Sequence, residues 1–226
     1  MVQPPSRVFR VGKSPDAWLR KPPSRGSDPT LNRYDDPLGI YHTVYAASTP
    51  YGAYMETLAS LRPAPTIDLA TSVLANEPGL RGTPPPGLVT NWIERRHIGK
   101  AQLNGVFVDI GASESIALLR RRLADRFAAL GVVEFDLSAL TTARREVTME
   151  ISRFIFELEY REQRRFDGIC YPSRLGRNIL CWAIFEDDHP ACITKKQSQP
   201  VNATDPELVE VLGHLRISLG PISAAS

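Results

Sequence analysis

The chain has 226 residues, 42% hydrophobic and 23% charged, with a formal net charge of +2. That length and balance fit one ample globular domain, or one domain with appendages. A charge so near neutrality gives no argument for direct nucleic-acid binding, and no apolar run approaches the roughly 18 residues a membrane span needs.

The first residues, "MVQPPSRVFRVGK", lack the apolar core of a signal peptide, so the chain is expected in the cytoplasm. Within that stretch "VFRVG" reads as a strand with Arg10 between apolar neighbours. Residues 12–39 are loop-like, rich in Gly, Pro and polar residues, and include "NRYDDP". "YHTVYAAS" reads as a strand. "STPYGAYMETLASL" follows as a helix, with Thr49 as N-cap and Pro50 at the first helical position, where its missing N–H costs nothing. Residues 62–90 form a proline-rich excursion.

"GVFVDI" (105–110) is a short apolar strand. "SESIALLRRRLADRFAALG" is the clearest helix: Ser113 can cap it, Gly131 ends it, and Ile116, Leu119, Leu123, Phe127 and Leu130 share one face. "VVEFDL" is expected to be another strand. A second strong helix spans 144–161, with Val147, Ile151, Phe154, Ile155 and Leu158 in one stripe. "RFDGICYPS" turns at Asp167-Gly168 into a short strand, and "NILCWAIFE" is a run apolar enough for a strand buried on both faces. "DPELVEVLGHLRI" (205–217) reads as an amphipathic helix capped by Asp205 and opened by Pro206. Mixed strands and helices without regular alternation give α+β. The expected division is a main domain over 1–200 and a C-terminal helix and tail over 201–226.

Several chemistries lack their signatures. No GxGxxG follows a strand, and there is no GxxxxGK[ST] and no GxSxG. The four histidines show no HExxH spacing, and Cys170, Cys181 and Cys192 form no CxxC pair. In "GICYP" and "ILCWAIF" the cysteines read as reduced core thiols, so neither a disulfide nor a metal site is expected.

What remains are polar residues set in apolar or loop-strand contexts. Arg10 is a surface residue of an edge strand or an anion ligand. Arg33 and Tyr34 sit in a solvated turn or bind something charged. Tyr45 is a core aromatic or a cavity wall. Ser173 is a turn residue after Pro172 or a hydrogen-bonding group of a site. The arginines at 95–96, 120–122, 144–145 and 164–165 read mostly as solvated faces.

Glu56 is the most informative. It stands among Tyr41, Tyr45, Tyr51 and Tyr54 in a stretch that otherwise reads as core, on what looks like the inner face of its helix. No Lys or Arg lies three or four residues away to pair with it along that helix.

The order "FRVG", "NRYDDP", "TVYAASTPYGAYMETL", "FDGICYPSR", "NILCWAIF" resembles the RES domain, named for its Arg, Glu and Ser. The resemblance covers roughly residues 7–187. Asn32 stands where the family commonly has Gly, and Tyr34 where it commonly has Phe.

The resemblance implies a fold with a mixed central β-sheet flanked by helices, similar to that of ADP-ribosyltransferases. It implies a toxin of a bacterial type II toxin–antitoxin system that consumes NAD⁺ by phosphorolysis or hydrolysis of the nicotinamide–ribose bond. Some members transfer ADP-ribose to a target instead, and a non-catalytic interaction module on the same fold is the competing class. The implied partner is an Xre-type helix-turn-helix antitoxin, with NAD⁺ as substrate, phosphate as a further ligand, no metal, and a homodimer allowed within the complex. Glu56, Arg33 and Ser173 are then the catalytic candidates, and Arg10, Arg33, Tyr34, Tyr45 and Ser173 the residues that would hold NAD⁺.

Overall fold

Apolar and aromatic runs build most of the strands, and their alternation decides which face each side chain joins. The computed structural model describes residues 1–13, 15–19, 31–62, 92–141, 144–160, 163–176, 178–186 and 192–218. The proline-rich excursion, from residue 63 on, and the middle of the loop expected at 12–39 lie outside them.

The strands are β1 (Val8–Lys13), β2 (His42–Ala47), β3 (Arg96–Leu103), β4 (Phe107–Asp109), β5 (Glu159–Tyr160), β6 (Gln163–Arg164), β7 (Gly168–Pro172), β8 (Leu180–Glu186) and β9 (Ile193–Pro200). The helices are α1 (Pro50–Leu58), α2 (Ser113–Arg122), α3 (Ala124–Ala129), α4 (Leu137–Thr141), α5 (Arg145–Phe156) and α6 (Pro206–Leu215). The fold is α+β. Seven strands make one mixed sheet in the order β4-β7-β8-β2-β1-β3-β9, with β5 and β6 forming a separate ribbon. Only β4–β7 is parallel among the sheet's pairs.

Alternation along β8 sends Cys181, Ala183 and Phe185 to one face of the sheet and Trp182 and Ile184 to the other. The first face packs on helices through Leu58, Ile151, Ile155, Leu208 and Val211. The second holds Val8, Val44 and Cys170, and the segment bearing Ala17 and Trp18 covers part of it. Trp18 Nε1 donates to the Gln197 carbonyl at 3.0 Å. That cover needs glycine beneath it. A Cβ on Gly99 would lie 2.4 Å from Trp18 Nε1, and one on Gly12 would lie 2.4 Å from the Ala17 carbonyl oxygen.

Thr49 caps α1 as expected, its Oγ1 accepting from Gly52 N at 3.1 Å, with Pro50 in the first turn. Asp205 caps α6 by accepting from Glu207 N, and it also accepts from the Tyr54 hydroxyl at 2.8 Å. The cap of one helix thereby ties it to the other. Burial of Leu208, Val211, Leu212 and Leu215 joins α6 to the main core.

Four expectations need correction. Ser113 does not cap its helix; Ala112 holds the N-cap position, without a side-chain bond. The helix is also not continuous. Leu123 leaves helical geometry (φ −113°, ψ 13°) and separates α2 from α3. The four-residue spacing of Leu119, Leu123 and Phe127 overshoots a 3.6-residue turn, and the break returns Phe127 to the core, stacked on Phe135 at 4.4 Å.

"VVEFDL" is not a strand. Val133 is exposed, and Asp136 Oδ1 accepts from Ser138 N at 2.8 Å and from Ala139 N, which starts α4 instead. The helix expected over 144–161 is Arg145–Phe156, and Glu159 already belongs to β5.

Two strands of the large sheet carry no sequence expectation. In β3, Arg96 and Lys100 interrupt the apolar alternation. β9 is an edge strand whose outer residues are polar and exposed, and a register shift opposite Lys100–Gln102, with Lys195 at φ 48°, makes its edge irregular.

The sheet has one weak seam. β2 and β8 are paired over six residues, as are β1 and β3, but β1 and β2 share only the pair Phe9–Ala47. Beyond that pair the two strands part. Arg10 and Val11 stand on one lip and Tyr45 and Ala46 on the other.

Candidate functional site

A cavity of about 430 Å³ opens at this seam. Its lining runs from Phe9, Arg10 and Val11 on β1 to Tyr45, Ala46 and Ala47 on β2, Tyr171 on β7 and Cys181 on β8. Ala53, Glu56 and Thr57 come from α1, Asn32 and Arg33 from the loop before β2, Arg145 from the start of α5, and Arg174 from the turn after β7. Four arginines face one carboxylate, Glu56, among the lining residues. Such a cavity favours an anionic ligand that also presents a group for a carboxylate.

Glu56 is exposed rather than set on the inner face of α1; Gly52, Ala53, Tyr54, Met55 and Leu58 take the buried positions. The exposed position opens onto the cavity. Its partner comes from 117 residues away: Ser173 Oγ donates to Glu56 Oε1 at 2.5 Å. Ser173 is itself buried, and its Oγ also accepts from Leu175 N at 2.9 Å. One hydroxyl thus shapes the turn that carries Arg174 and holds the carboxylate of α1. Ser173 is absent from the cavity lining and meets the cavity through Glu56.

Arg33 lines the cavity and donates to the Leu140 carbonyl, while Arg145 donates to the Leu31 carbonyl at 2.7 Å. The two arginines cross-link the loop before β2 to the helical segment around α4 and α5. Each has part of its planar fork fixed by a backbone carbonyl, which orients the guanidinium at the cavity. Asn32 is held by Asp35 Oδ2, through its backbone N at 2.7 Å and its side chain at 3.2 Å.

Arg10 lines the cavity among acidic neighbours. Burial lowers its pKa, and the surrounding carboxylates of Glu186, Asp16 and Asp35 oppose that change.

The two tyrosines have different places. Tyr45 lines the cavity, and its hydroxyl donates to Asp35 Oδ1 at 2.8 Å and accepts from Tyr34 N at 2.8 Å. Burial foremost, then Asp35, push the Tyr45 phenol well above its ordinary range. Tyr34 does not line the cavity. Its ring is fully buried, 4.6 Å from that of Tyr171, so it presents no face for a ligand to stack on. Its hydroxyl has no hydrogen-bond partner among the described residues.

Sequence reasoning missed Asn32, Thr57, Arg145, Tyr171, Arg174 and Cys181 as lining residues. Arg145 was one of several solvated arginines, and Arg174 stood unremarked beside Ser173. Cys181 does behave as a buried thiol, as its apolar neighbours suggest, yet it also floors the cavity. Burial foremost, then the nearby Glu56, raise its pKa far above the ordinary thiol range.

Among the described residues no three His, Cys, Asp or Glu side chains are placed to share a metal ion, and no helix is long and apolar enough to cross a membrane. No family model matches the chain, and no curated protein matches it in sequence.

Proposed function

We propose that this chain is an NAD⁺-consuming toxin of the RES type, which cleaves the nicotinamide–ribose bond in the cavity at the β1–β2 seam. The observation that carries this reading is the Ser173–Glu56 hydrogen bond at a cavity also lined by Arg10, Arg33 and Tyr45. Five polar residues from four separate segments, each singled out in sequence, meet at one place. Independent surface residues would have no reason to converge.

The chemistry follows from the charges. The C1′–N bond of NAD⁺ breaks with its electron pair going to the nicotinamide nitrogen, which departs neutral. The ribose is left with oxocarbenium character. A fixed carboxylate facing that positive charge stabilises the transition state more than the ground state. Glu56 is that carboxylate, and Ser173 keeps it in one orientation. Arg33 and Arg145, each oriented by a backbone carbonyl, bind the pyrophosphate. A water or phosphate oxygen then bonds to C1′. Tyr34 supports the site from beneath, through its ring contact with Tyr171. In this reading the chain acts in the cytoplasm, and its partner is an Xre-type antitoxin that covers the cavity.

The test is expression in a bacterial host without the antitoxin. Growth should stop and cellular NAD⁺ should fall, and Glu56→Gln should do neither. Growth arrest with NAD⁺ unchanged contradicts the reading; in that case mass spectrometry of cellular proteins for added ADP-ribose shows whether transfer is the activity.

A further inference from the structure

The turn that carries Arg33 is held by a carboxylate that the proposed mechanism does not use. Asp35 Oδ2 accepts from Asn32 N at 2.7 Å and from Asn32 Nδ2 at 3.2 Å. Its other oxygen, Oδ1, accepts from the Tyr45 hydroxyl at 2.8 Å. That hydroxyl in turn accepts from Tyr34 N at 2.8 Å. Asp35 is half-buried and does not line the cavity, whereas Asn32, Arg33 and Tyr45 do. The neighbouring Asp36 serves a different turn, accepting from Leu38 N and Ile40 N.

Arg33 lies between the two backbone N–H groups that this network fixes. On one side Asp35 holds Asn32 directly; on the other it reaches Tyr34 through Tyr45. The Tyr34 carbonyl accepts from Thr43 Oγ1 at 2.9 Å and from Ser152 Oγ at 2.8 Å. Thr43 and Tyr45 are two residues apart on β2 and share a face, so one strand grips both backbone groups of Tyr34. The Arg33 guanidinium donates to the Leu140 carbonyl. The base of this side chain and its tip are thus held by different elements. The Tyr45 hydroxyl spends its single proton on Asp35, so it has no donor left for a ligand.

We infer that Asp35 is a positioning residue for Arg33: its carboxylate binds Asn32 directly and Tyr34 through the Tyr45 hydroxyl, and so fixes the backbone on both sides of the arginine that lines the cavity. Tyr45 is then a relay in this clamp as well as a wall of the cavity. The inference deepens the proposed function and rests on it only in taking Arg33 as a ligand of an anionic group. The sign of the effect separates a clamp from a mere charge. The Asp35 carboxylate also acts on Arg10 at the same cavity. As a charge alone, its removal would leave the cavity more positive and tighten anion binding. As a clamp, its removal frees the Arg33 turn and weakens anion binding.

The experiment is calorimetric titration of the full chain with inorganic pyrophosphate. Asp35→Asn offers one acceptor oxygen where the surrounding donors use two. It should raise the Kd about fivefold or more. Tyr45→Phe, which keeps the ring and loses the relay, should do the same, and it carries this measurement if Asp35→Asn fails to fold. In an Arg33→Ala background, adding Asp35→Asn should change the Kd by less than about twofold, because the residue it positions is gone. A Kd at or below the wild-type value in Asp35→Asn overturns the inference. So does an equally large further loss in the Arg33→Ala background.

Amide hydrogen exchange, resolved residue by residue by NMR, adds a decision that needs no ligand. Asp35→Asn should speed exchange at the Tyr34 amide about tenfold, although that amide bonds Tyr45 and not Asp35. An unchanged Tyr34 rate overturns the relay, whatever the protein does to NAD⁺. A wild type that binds pyrophosphate but releases no nicotinamide refutes the proposed function instead, and the Kd values still decide the role of Asp35. A wild type that binds no pyrophosphate overturns the assignment of Arg33 as an anion ligand, and with it the inference as stated.

Discussion

Ser173→Ala removes a single oxygen that serves two partners. Ser173 is 6% exposed; its Oγ donates to Glu56 Oε1 at 2.5 Å and accepts from Leu175 N at 2.9 Å. A hydrogen bond to a charged group contributes about 1.5–3 kcal/mol. Glu56 is exposed, however, so water takes over part of its hydrogen bonding in the variant. The Leu175 N–H loses its partner as well, and the turn loses what shapes it. Together these place the cost at about 1–2 kcal/mol. For a chain of this size that is a fall in Tm of roughly 2–8 °C.

The pair itself is isolated by a double-mutant cycle with Glu56→Ala, read by urea unfolding. A coupling of about 1 kcal/mol is expected if the hydroxyl holds the carboxylate in solution. Additivity within about 0.3 kcal/mol would refute the argument, because Ser173 would then serve the turn alone.

Other outcomes follow from the same structure. Ser48→Ala leaves the Trp182 indole N–H, now 2.9 Å from Ser48 Oγ, without that partner beside a buried ring, and should cost about 1–3 kcal/mol in chemical denaturation. Arg33→Ala should weaken NAD⁺ binding by about tenfold or more in calorimetry, since it removes charge-assisted donors from the cavity; unchanged affinity would place the anion elsewhere. The Cys170 thiol gives a pH dependence. Burial, then Asp109, push its pKa from 9.0 to about 12, so the folded state holds that proton longer than the unfolded state. Its contribution to stability is fully present below about pH 9 and is lost as pH rises toward 12. Urea midpoints measured over that range should fall less steeply in Cys170→Ala than in wild type.

The parts of the fold legible in sequence are those where local chemistry and tertiary packing agree. Thr49-Pro50 and Asp205-Pro206 carry their helix starts in the residues themselves, and the caps form as the side chains dictate. In "NILCWAIFE" the run Cys181 to Phe185 is apolar throughout because both sheet faces bury it. "VVEFDL" shows the opposite case. Its residues favour a strand, but Val133 finds no core and Asp136 offers a cap, so the local hydrogen bonds prevail. β9 was illegible because an exposed edge strand needs no apolar face, only a neighbour, and that neighbour is set by the rest of the sheet.

The site divides in the same way. Glu56 stood out as an acid without a local partner, and its partner proved to be non-local. Arg145 and Cys181 did not stand out, because a charged helix start and a thiol in an apolar strand are ordinary in sequence. They join the cavity only because β1 and β2 part after a single pair, and no local pattern encodes that opening.

The central claim is that Glu56 acts on the nicotinamide–ribose bond. Purified protein incubated with NAD⁺, with and without phosphate, tests it most directly, with released nicotinamide as the readout. Wild type should release nicotinamide. Glu56→Gln, which keeps the shape and loses the charge, should lower release by at least about a hundredfold while the protein remains folded. Release at the wild-type rate by Glu56→Gln, or none by wild type under either condition, would contradict it.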